Sequence, residues 1–187
     1  MPRLVGTRVE TPVGPLLAIA SDVGLCGLPF LPRERRAPLA GRGHRLDAWL
    51  RRWFGVTAVD EGADDPVIRQ TRAWLAAYFA GESGGLTLPP LDMRGAEFQR
   101  RVWTALLDIP IGTTTSYGAI ARRLGNADAS RAVGLANGAN PVPIIVPCHR
   151  VIGASGALTG YGGGLDRKTW LLAHERRHWG REMTLDF

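Results

Sequence analysis

Pro147-Cys148-His149-Arg150 is the stretch around which this chain of 187 residues is organised. An apolar run with two prolines, 141–146, precedes it, and a glycine-rich loop that leads into a short helix follows it. A thiolate is a strong nucleophile, and it forms where a base, a cation or a helix N-terminus lowers the pKa of the thiol. The adjacent Cys148 and His149 are the only concentrated nucleophile chemistry in the sequence. We therefore expect the rest of the chain to bring a substrate to Cys148.

Composition and charge limit the kinds of protein that this chain can be. Hydrophobic residues make up 45% of it, enough for a packed core, and no apolar stretch is long enough to span a membrane. The basic N-terminus is not followed by a signal-peptide core, so we expect a cytoplasmic protein without a membrane partner. We also expect the protein to be monomeric. The net charge of +6 suits nucleic acid. Charge alone is equally typical of basic proteins that bind nothing in particular.

The cysteines and histidines indicate neither a disulfide scaffold nor a metal. Cys26 and Cys148 lie far apart in sequence, and a buried apolar role is the simpler interpretation of Cys26. The four histidines do not have zinc-ligand spacing. We expect no metal and no cofactor. Lys168 is the only lysine; every other cationic side chain is an arginine.

The first half of the chain reads as a small α/β domain with an antiparallel sheet. Short apolar runs between glycine and proline turns predict a hairpin over 8–31. A helix is predicted from Pro66, capped by Asp64 or Asp65 and ended by Gly81. The arginine-rich loop 33–36 receives no role. The segment 81–92 is the best candidate linker, which divides the chain into domains 1–89 and 90–187.

The second half reads as a mainly helical domain that contains a helix-turn-helix. A helix over 96–107 is followed by helices over 117–124 and 128–138, joined by a glycine turn. Helix pairs of this length also occur in many protein cores. Arg131 is the one long side chain expected to project from the last helix, as a phosphate contact, a wedge or a solvated charge. The other outward residues are small, where a major-groove reader would carry long polar side chains.

A histidine base needs a group that orients it, and Glu175 is the candidate. It lies one turn after Leu171 on a helix predicted over 166–177, so it shares an inward face with that leucine. From spacing alone, an exposed glutamate is the simpler interpretation. The loop 160–164 consists of glycines around Tyr161, which could stack on a flat ligand.

Residues 140–152 resemble the active-site signature of the O6-alkylguanine-DNA alkyltransferases, also called methylated-DNA–protein-cysteine methyltransferases. The resemblance extends from Phe98 to the segment 170–175, and the first half of the chain matches more loosely through 11–14 and 78–79. It implies minor-groove binding to double-stranded DNA and flipping of a guanine alkylated at O6. The alkyl group, and by expectation that of O4-alkylthymine, would then pass to a cysteine that is used once.

The resemblance also implies roles for individual residues. Cys148 would accept the alkyl group, His149 would take its proton through a water, and Glu175 would orient His149. Tyr117 would help to neutralise the departing base. Asn140 would be the hinge between the helix-turn-helix and the active-site turn.

Further residues follow from the resemblance for DNA and for the base pocket. Arg131 would replace the flipped base in the stack, beside the small DNA-binding residues Ala129, Ser130, Ala132 and Gly134. The base pocket would be lined by Pro143, Val151, Tyr161, Gly162 and Gly163. Gly162 departs from the pattern, because many relatives carry serine there, so a hydroxyl toward O6 would be missing.

Three other kinds of protein compete with this interpretation. A lesion-binding protein without catalysis would lack the acceptor thiol, but Cys148 is present. A transcription factor would need base-reading side chains on the second helix of the pair. A cysteine hydrolase would need an oxyanion-hole or papain-like motif, and neither occurs in the sequence.

Overall fold

The computed structural model describes residues 3–32, 44–56, 58–82 and 87–180. The chain divides into two compact units, Met1–Arg94 and Gly95–Phe187. Our sequence-based boundary lies slightly earlier, near residue 89. The arginine-rich loop 33–36 lies outside the described residues.

The first unit is a sheet packed against helices. Its elements are β1 Val5–Val9, β2 Leu16–Ala20, β3 Leu25–Gly27, α1 His44–Phe54, β4 Asp60–Glu61 and α2 Pro66–Ala80. The sheet has the order β3-β2-β1-β4, antiparallel except for the parallel pair of β1 and β4. The predicted antiparallel sheet is thus confirmed and extended by one parallel edge strand.

Helix α2 has the ends that the sequence predicts. The Asp65 carboxylate accepts hydrogen bonds from the N–H groups of Val67 and Ile68, at 2.9 and 3.2 Å. Pro66 occupies the first turn, where its missing N–H costs nothing. Gly81 ends the helix with φ 79°, the left-handed conformation that glycine adopts without strain.

The second unit is mainly helical, as predicted. Its elements are α3 Glu97–Leu107, β5 Thr115–Ser116, α4 Tyr117–Arg123, α5 Ser130–Gly138, β6 Val151–Ile152 and α6 Leu165–Trp179. Two of its features were not predicted: the short parallel pair of β5 and β6, and a 3-10 turn at Ala127–Ala129 before α5. Within the described residues, no helix combines the length and apolar character needed to cross a membrane.

Three contacts fix the helices around the active-site turn. The Ser116 hydroxyl caps α4 by accepting a hydrogen bond from the Ala119 N–H, at 3.1 Å. The Trp103 indole N–H of α3 donates to the Ala136 carbonyl of α5, at 2.8 Å, and so holds α5 from behind. The parallel pair aligns Ser116 with Ile152, so the first residue of α4 lies beside the segment that follows Cys148.

Candidate active site

The run before Cys148 forms a buried loop rather than a strand. Residues 142–147 are buried. Ile144 has φ 75°, a left-handed conformation that costs a branched residue about 1–3 kcal/mol. Asn140 closes this loop from both sides, because its Nδ2 donates to the Val146 carbonyl at 2.8 Å and its Oδ1 accepts from the Val142 N–H at 3.0 Å. The loop therefore delivers Cys148 in a fixed backbone position at the end of α5.

Cys148, His149 and Arg150 form a single 3-10 turn, the local bend that lets adjacent side chains share one site. Glu175 reaches this turn from α6, with Oε1 2.8 Å from Nε2 of His149. Arg150 donates to the same carboxylate from Nε at 2.9 Å and from Nη2 at 2.9 Å. Glu175 is 1% exposed, so the simpler interpretation of an exposed glutamate is wrong.

A backbone group completes the surroundings of the carboxylate. The Gly112 N–H donates to Glu175 Oε2 at 3.0 Å. Gly112 has φ 79°, and a Cβ there would lie 2.8 Å from the Trp179 carbonyl oxygen. Only glycine fits this position without displacing the end of α6.

The protonation states of Glu175 and His149 determine which proton can move. Burial alone would raise the pKa of Glu175, but His149 and Arg150 hold it well below its usual range, so the group is a carboxylate. Burial lowers the pKa of His149 despite the pull of Glu175. Neutral His149 donates from Nε2 to the carboxylate, which leaves Nδ1 as an acceptor. Nδ1 is buried and has no hydrogen-bond partner among the described residues.

Cys148 is a thiol at rest. Its side chain is buried, and burial raises its pKa to about 11 against the opposing effects of Asn140 and the charge of Lys168. Few molecules carry the thiolate at neutral pH, so any reaction that uses Sγ as a nucleophile requires the loss of this proton. The neighbouring His149 is a neutral imidazole, the form that can accept a proton.

Lys168 is a site residue that our sequence reasoning missed. It is fully buried on α6, and its ammonium donates to the carbonyls of Val151 at 2.6 Å and of Thr159 at 2.8 Å. These contacts close the loop 152–158 at both ends and place a positive charge near Cys148. The available signal was compositional: a single lysine in an arginine-rich chain.

The residues predicted to line a base pocket differ in burial and in the groups they contact. Tyr161 meets His149 edge-on, with ring centroids 6.5 Å apart. Tyr117 accepts a weak hydrogen bond from the Thr159 hydroxyl, at 3.4 Å. Pro143 and Val151 are buried, Gly163 is partly exposed and Gly162 is exposed.

Space does not explain the glycine at position 162. A Cβ on Gly162 would meet its nearest neighbour, the Gly138 carbonyl oxygen, at 3.7 Å, an ordinary van der Waals distance. A serine would therefore fit here.

The outward face of α5 consists mainly of small residues, with one correction. Arg131 and Ala132 are exposed, while Ala129, Ser130 and Gly134 are partly buried. Gly134 packs toward Tyr117, whose ring would lie 3.8 Å from an added Cβ. The expectation that Arg131 alone projects is wrong, because Leu135 is 78% exposed one turn later.

Two more contacts of the turn, one made by Arg150 and one by Asn137 of α5, escaped sequence reasoning. The Arg150 guanidinium also donates from Nη1 to the Ile109 carbonyl, at 2.6 Å. The Asn137 amide donates to the Cys148 carbonyl, at 3.3 Å. Neither contact has a sequence signal, because their partners lie 41 and 11 residues away. Among the residues that the structure describes, no group of three or more metal-ligating side chains comes together.

Two family models match the chain. The model of the "6-O-methylguanine DNA methyltransferase, DNA binding domain" matches residues 97–177. The model of the "6-O-methylguanine DNA methyltransferase, ribonuclease-like domain" matches residues 4–93. Together they account for both compact units.

Two relatives that match this chain over nearly their whole length carry the same name. A methylated-DNA–protein-cysteine methyltransferase of Mycobacterium tuberculosis is 56% identical over 177 residues, which is 95% of each chain. One of Methanosarcina acetivorans is 44% identical over 166 residues, 89% of this chain and 94% of the relative.

Solved structures give the same result. The crystal structure of an O6-methylguanine methyltransferase from Mycobacterium tuberculosis superposes with a TM-score of 0.74 and 41% identity, over 96% of each chain. A crystal structure described as Mycobacterium tuberculosis OGT in complex with DNA gives a TM-score of 0.73 and 43% identity, over 95% of each chain.

Proposed function

Since this chain belongs to the 6-O-methylguanine DNA methyltransferase family, we propose that it transfers the alkyl group of O6-alkylguanine in DNA to Sγ of Cys148. The chain is a DNA-binding repair protein and a methylated-DNA–[protein]-cysteine S-methyltransferase. The observation that supports the choice of Cys148 is the buried pair formed by His149, which lies in the same turn, and Glu175 of α6. Their side chains are 2.8 Å apart, and His149 Nδ1 is left as an acceptor.

The reaction is a displacement at the alkyl carbon. The Cys148 thiol passes its proton through a water to His149 Nδ1, and Glu175 stabilises the imidazolium that forms. Sγ then attacks the alkyl carbon, the bond from carbon to O6 breaks, and its electron pair stays on guanine. The charge of Lys168 favours the thiolate, since it lowers the pKa that burial raises.

The departing base must be neutralised. Tyr117 lies at the start of α4, beside the loop that carries Thr159, and its hydroxyl can donate a proton toward the ring nitrogen of guanine. Tyr161 and the backbone near Val151 and Gly162 form the walls against which the flat base rests. With no side chain at position 162, the donor toward O6 is a backbone N–H.

The DNA face is the pair of helices α4 and α5, acting as a helix-turn-helix. The small outward residues of α5 let its backbone approach a narrow groove, and Arg131 fills the stack when the damaged base turns out. This arrangement favours the minor groove, where long base-reading side chains are not needed. The positive net charge of +6 adds a general attraction to phosphates.

The product limits each molecule to one reaction. The alkylated cysteine is a thioether, which water does not cleave, and Cys148 is thereby consumed. A single chain suffices, because every residue named lies in the second unit. O4-alkylthymine presents an alkyl carbon on a comparable exocyclic oxygen and is a second substrate.

The lesion itself provides the test. We expect a duplex with one O6-methylguanine to contain ordinary guanine after incubation with the protein, as measured by nucleoside analysis of the digested DNA. The Cys148→Ala variant should leave the O6-methylguanine in place while it still binds the duplex. Guanine recovered equally with the variant would refute the assignment of Cys148 as acceptor.

A further inference from the structure

Asn137 lies in the last turn of α5, and its amide touches the residue that carries the thiol. The side chain is 3% exposed. Its Nδ2 donates to the Cys148 carbonyl at 3.3 Å, an oxygen that also accepts the N–H of Val151. Its Oδ1 is buried and has no hydrogen-bond partner within the described part of the chain.

An unpartnered buried amide oxygen is costly. Leaving such an acceptor without a donor costs about 1–3 kcal/mol, and most buried polar side-chain atoms in proteins are paired. His149 Nδ1 is a second buried acceptor of the same kind, in the residue next to Cys148. One water can satisfy both atoms, since buried waters make two to four hydrogen bonds. The Cys148 thiol supplies the donor that such a water needs at its oxygen.

We propose that Asn137 is a positioning residue of the transfer reaction: its Oδ1 and His149 Nδ1 together hold the water that receives the proton of the Cys148 thiol. This inference rests on the proposed function. The proton path then has three fixed groups: the Cys148 thiol, His149 Nδ1 and Asn137 Oδ1. Adjacency in sequence supplied only the first two.

The proton balance of the step is closed. The thiol proton passes to the water while one water proton passes to His149 Nδ1; the other water hydrogen stays hydrogen-bonded to Asn137 Oδ1. The histidine keeps its Nε2 proton, which is hydrogen-bonded to Glu175, and becomes an imidazolium opposite a carboxylate. The sulfur gains the alkyl group as the bond to O6 breaks, and Tyr117 protonates the departing guanine. The tyrosinate that remains regains a proton from solvent, and the imidazolium loses one to solvent.

Several charged and titratable groups face this path. Arg150 lies in the same turn, Glu175 and Lys168 come from α6, and Tyr161 comes from the glycine loop. None of them replaces Asn137: Glu175 is engaged on the far nitrogen of His149, and Lys168 donates to two carbonyls. Asn137 is thus the group through which α5 contributes to the proton transfer.

The decisive variant is Asn137→Leu, which keeps the branched shape of the side chain and removes both polar atoms. Its rate of alkyl transfer from free O6-benzylguanine at pH 7 should fall about 10- to 100-fold, within the range of acid–base contributions. The deficit should shrink as the pH approaches 10, because bulk solvent then removes the thiol proton without the relay. Affinity for duplex DNA should stay unchanged, and prolonged incubation should still alkylate Cys148.

Two further variants separate positioning from mere stability. Val133→Ala opens a cavity on the same helix, one turn earlier, and should keep the wild-type pH profile. Asn137→Ser leaves room for a second water and should give a rate between wild type and Asn137→Leu, which also decides the case if the leucine variant does not fold.

The inference is overturned if folded Asn137→Leu matches wild type in rate and pH profile. It is also overturned if Val133→Ala produces the same pH-dependent deficit, or if folded Asn137→Ser transfers at the wild-type rate. Failure of the proposed function looks different: wild-type protein would then transfer no alkyl group at any pH.

Discussion

The turn that carries Cys148 and the outward face of α5 are close in sequence but differ in burial and in how their polar groups are paired. The turn is buried, and its charges are matched within a few ångströms: Glu175 accepts from His149 at 2.8 Å and from Arg150 at 2.9 Å. The face of α5 exposes Arg131, Ala132 and Leu135, of which only Arg131 has a side chain that can form hydrogen bonds.

The difference reflects what each region must do. Burial strengthens the electrostatic interactions that assist a proton transfer, but it also requires that each buried charge have a fixed partner. A helix that approaches a groove must instead avoid bulk and leave its contacts unmade until DNA arrives. Changes in the turn and in the residues packed on it should therefore affect every substrate, and changes on the outward face of α5 should affect DNA alone.

The largest effect should come from Cys148→Ala. Because no other thiol lies in the second unit, transfer from both a methylated duplex and free O6-benzylguanine should disappear. Duplex affinity, measured by fluorescence anisotropy, should remain. Joint loss of binding and transfer in a folded variant would mean that the buried turn also supports the DNA face.

Next in size is Glu175→Gln. Transfer from either substrate should slow by about 100-fold or more, since the histidine loses the carboxylate that stabilises its charge. Arg150 would be left buried without its counter-ion, and unfolding free energy should fall by about 3–5 kcal/mol. Glu97→Gln, an exposed change at the start of α3, is the matched control for the loss of one carboxylate and should change transfer little. A slowdown confined to duplex DNA would contradict the role of Glu175.

The same carboxylate predicts a pH dependence of stability. Its pKa in the folded state lies below the ordinary value of 4.5. The stabilisation is therefore complete above that value and is lost as the pH falls below it, because the unfolded chain takes up the proton first. Urea unfolding between pH 7 and pH 3 should show a loss of stability in wild type that is smaller in Glu175→Gln. Parallel pH curves for the two proteins would contradict this.

A smaller and selective effect is expected for Arg131→Ala. Transfer from duplex DNA should slow by about 10- to 100-fold, because a flipped base costs a few kcal/mol when nothing fills its place. Transfer from free O6-benzylguanine should not change. Arg72→Ala, which removes the same charge from an exposed position on α2, serves as the control. An equal loss on both substrates would remove the distinction between the two regions.

The smallest effect should come from Gly162→Ser. An added Cβ meets only the Gly138 carbonyl oxygen, at 3.7 Å, so unfolding free energy should change by no more than about 0.5 kcal/mol. Transfer rates for methyl and benzyl substrates should change by different factors, since a hydroxyl is added toward O6. Single-turnover kinetics on both substrates measure this. A large loss of stability would show that the loop cannot admit a side chain.

Local signals in the sequence were sufficient for the ends of α2 and for the hypothesis about the nucleophile. Asp65, Pro66 and Gly81 mark the ends of α2 by capping chemistry alone, and the adjacency of Cys148 and His149 predicts the nucleophile. These features depend on residues within a few positions of each other.

The remaining features depend on contacts between distant segments. The Gly112 N–H and the Glu175 carboxylate are 63 residues apart, and no periodicity joins them. The left-handed Ile144 breaks the rule that such positions prefer glycine, so no local rule predicted the backbone conformation of the loop before Cys148. Burial of Lys168 and Asn137 is likewise a consequence of packing, since both residue types are usually exposed.

The most direct test of the account is the mass of the protein after reaction with an excess of duplex DNA containing O6-methylguanine. We predict that the mass rises by one methyl group per chain and stays there however much DNA is added, and that peptide mapping locates the methyl group on Cys148. An unchanged mass with folded protein, more than one methyl group per chain, or a methyl group on Cys26 would contradict the account.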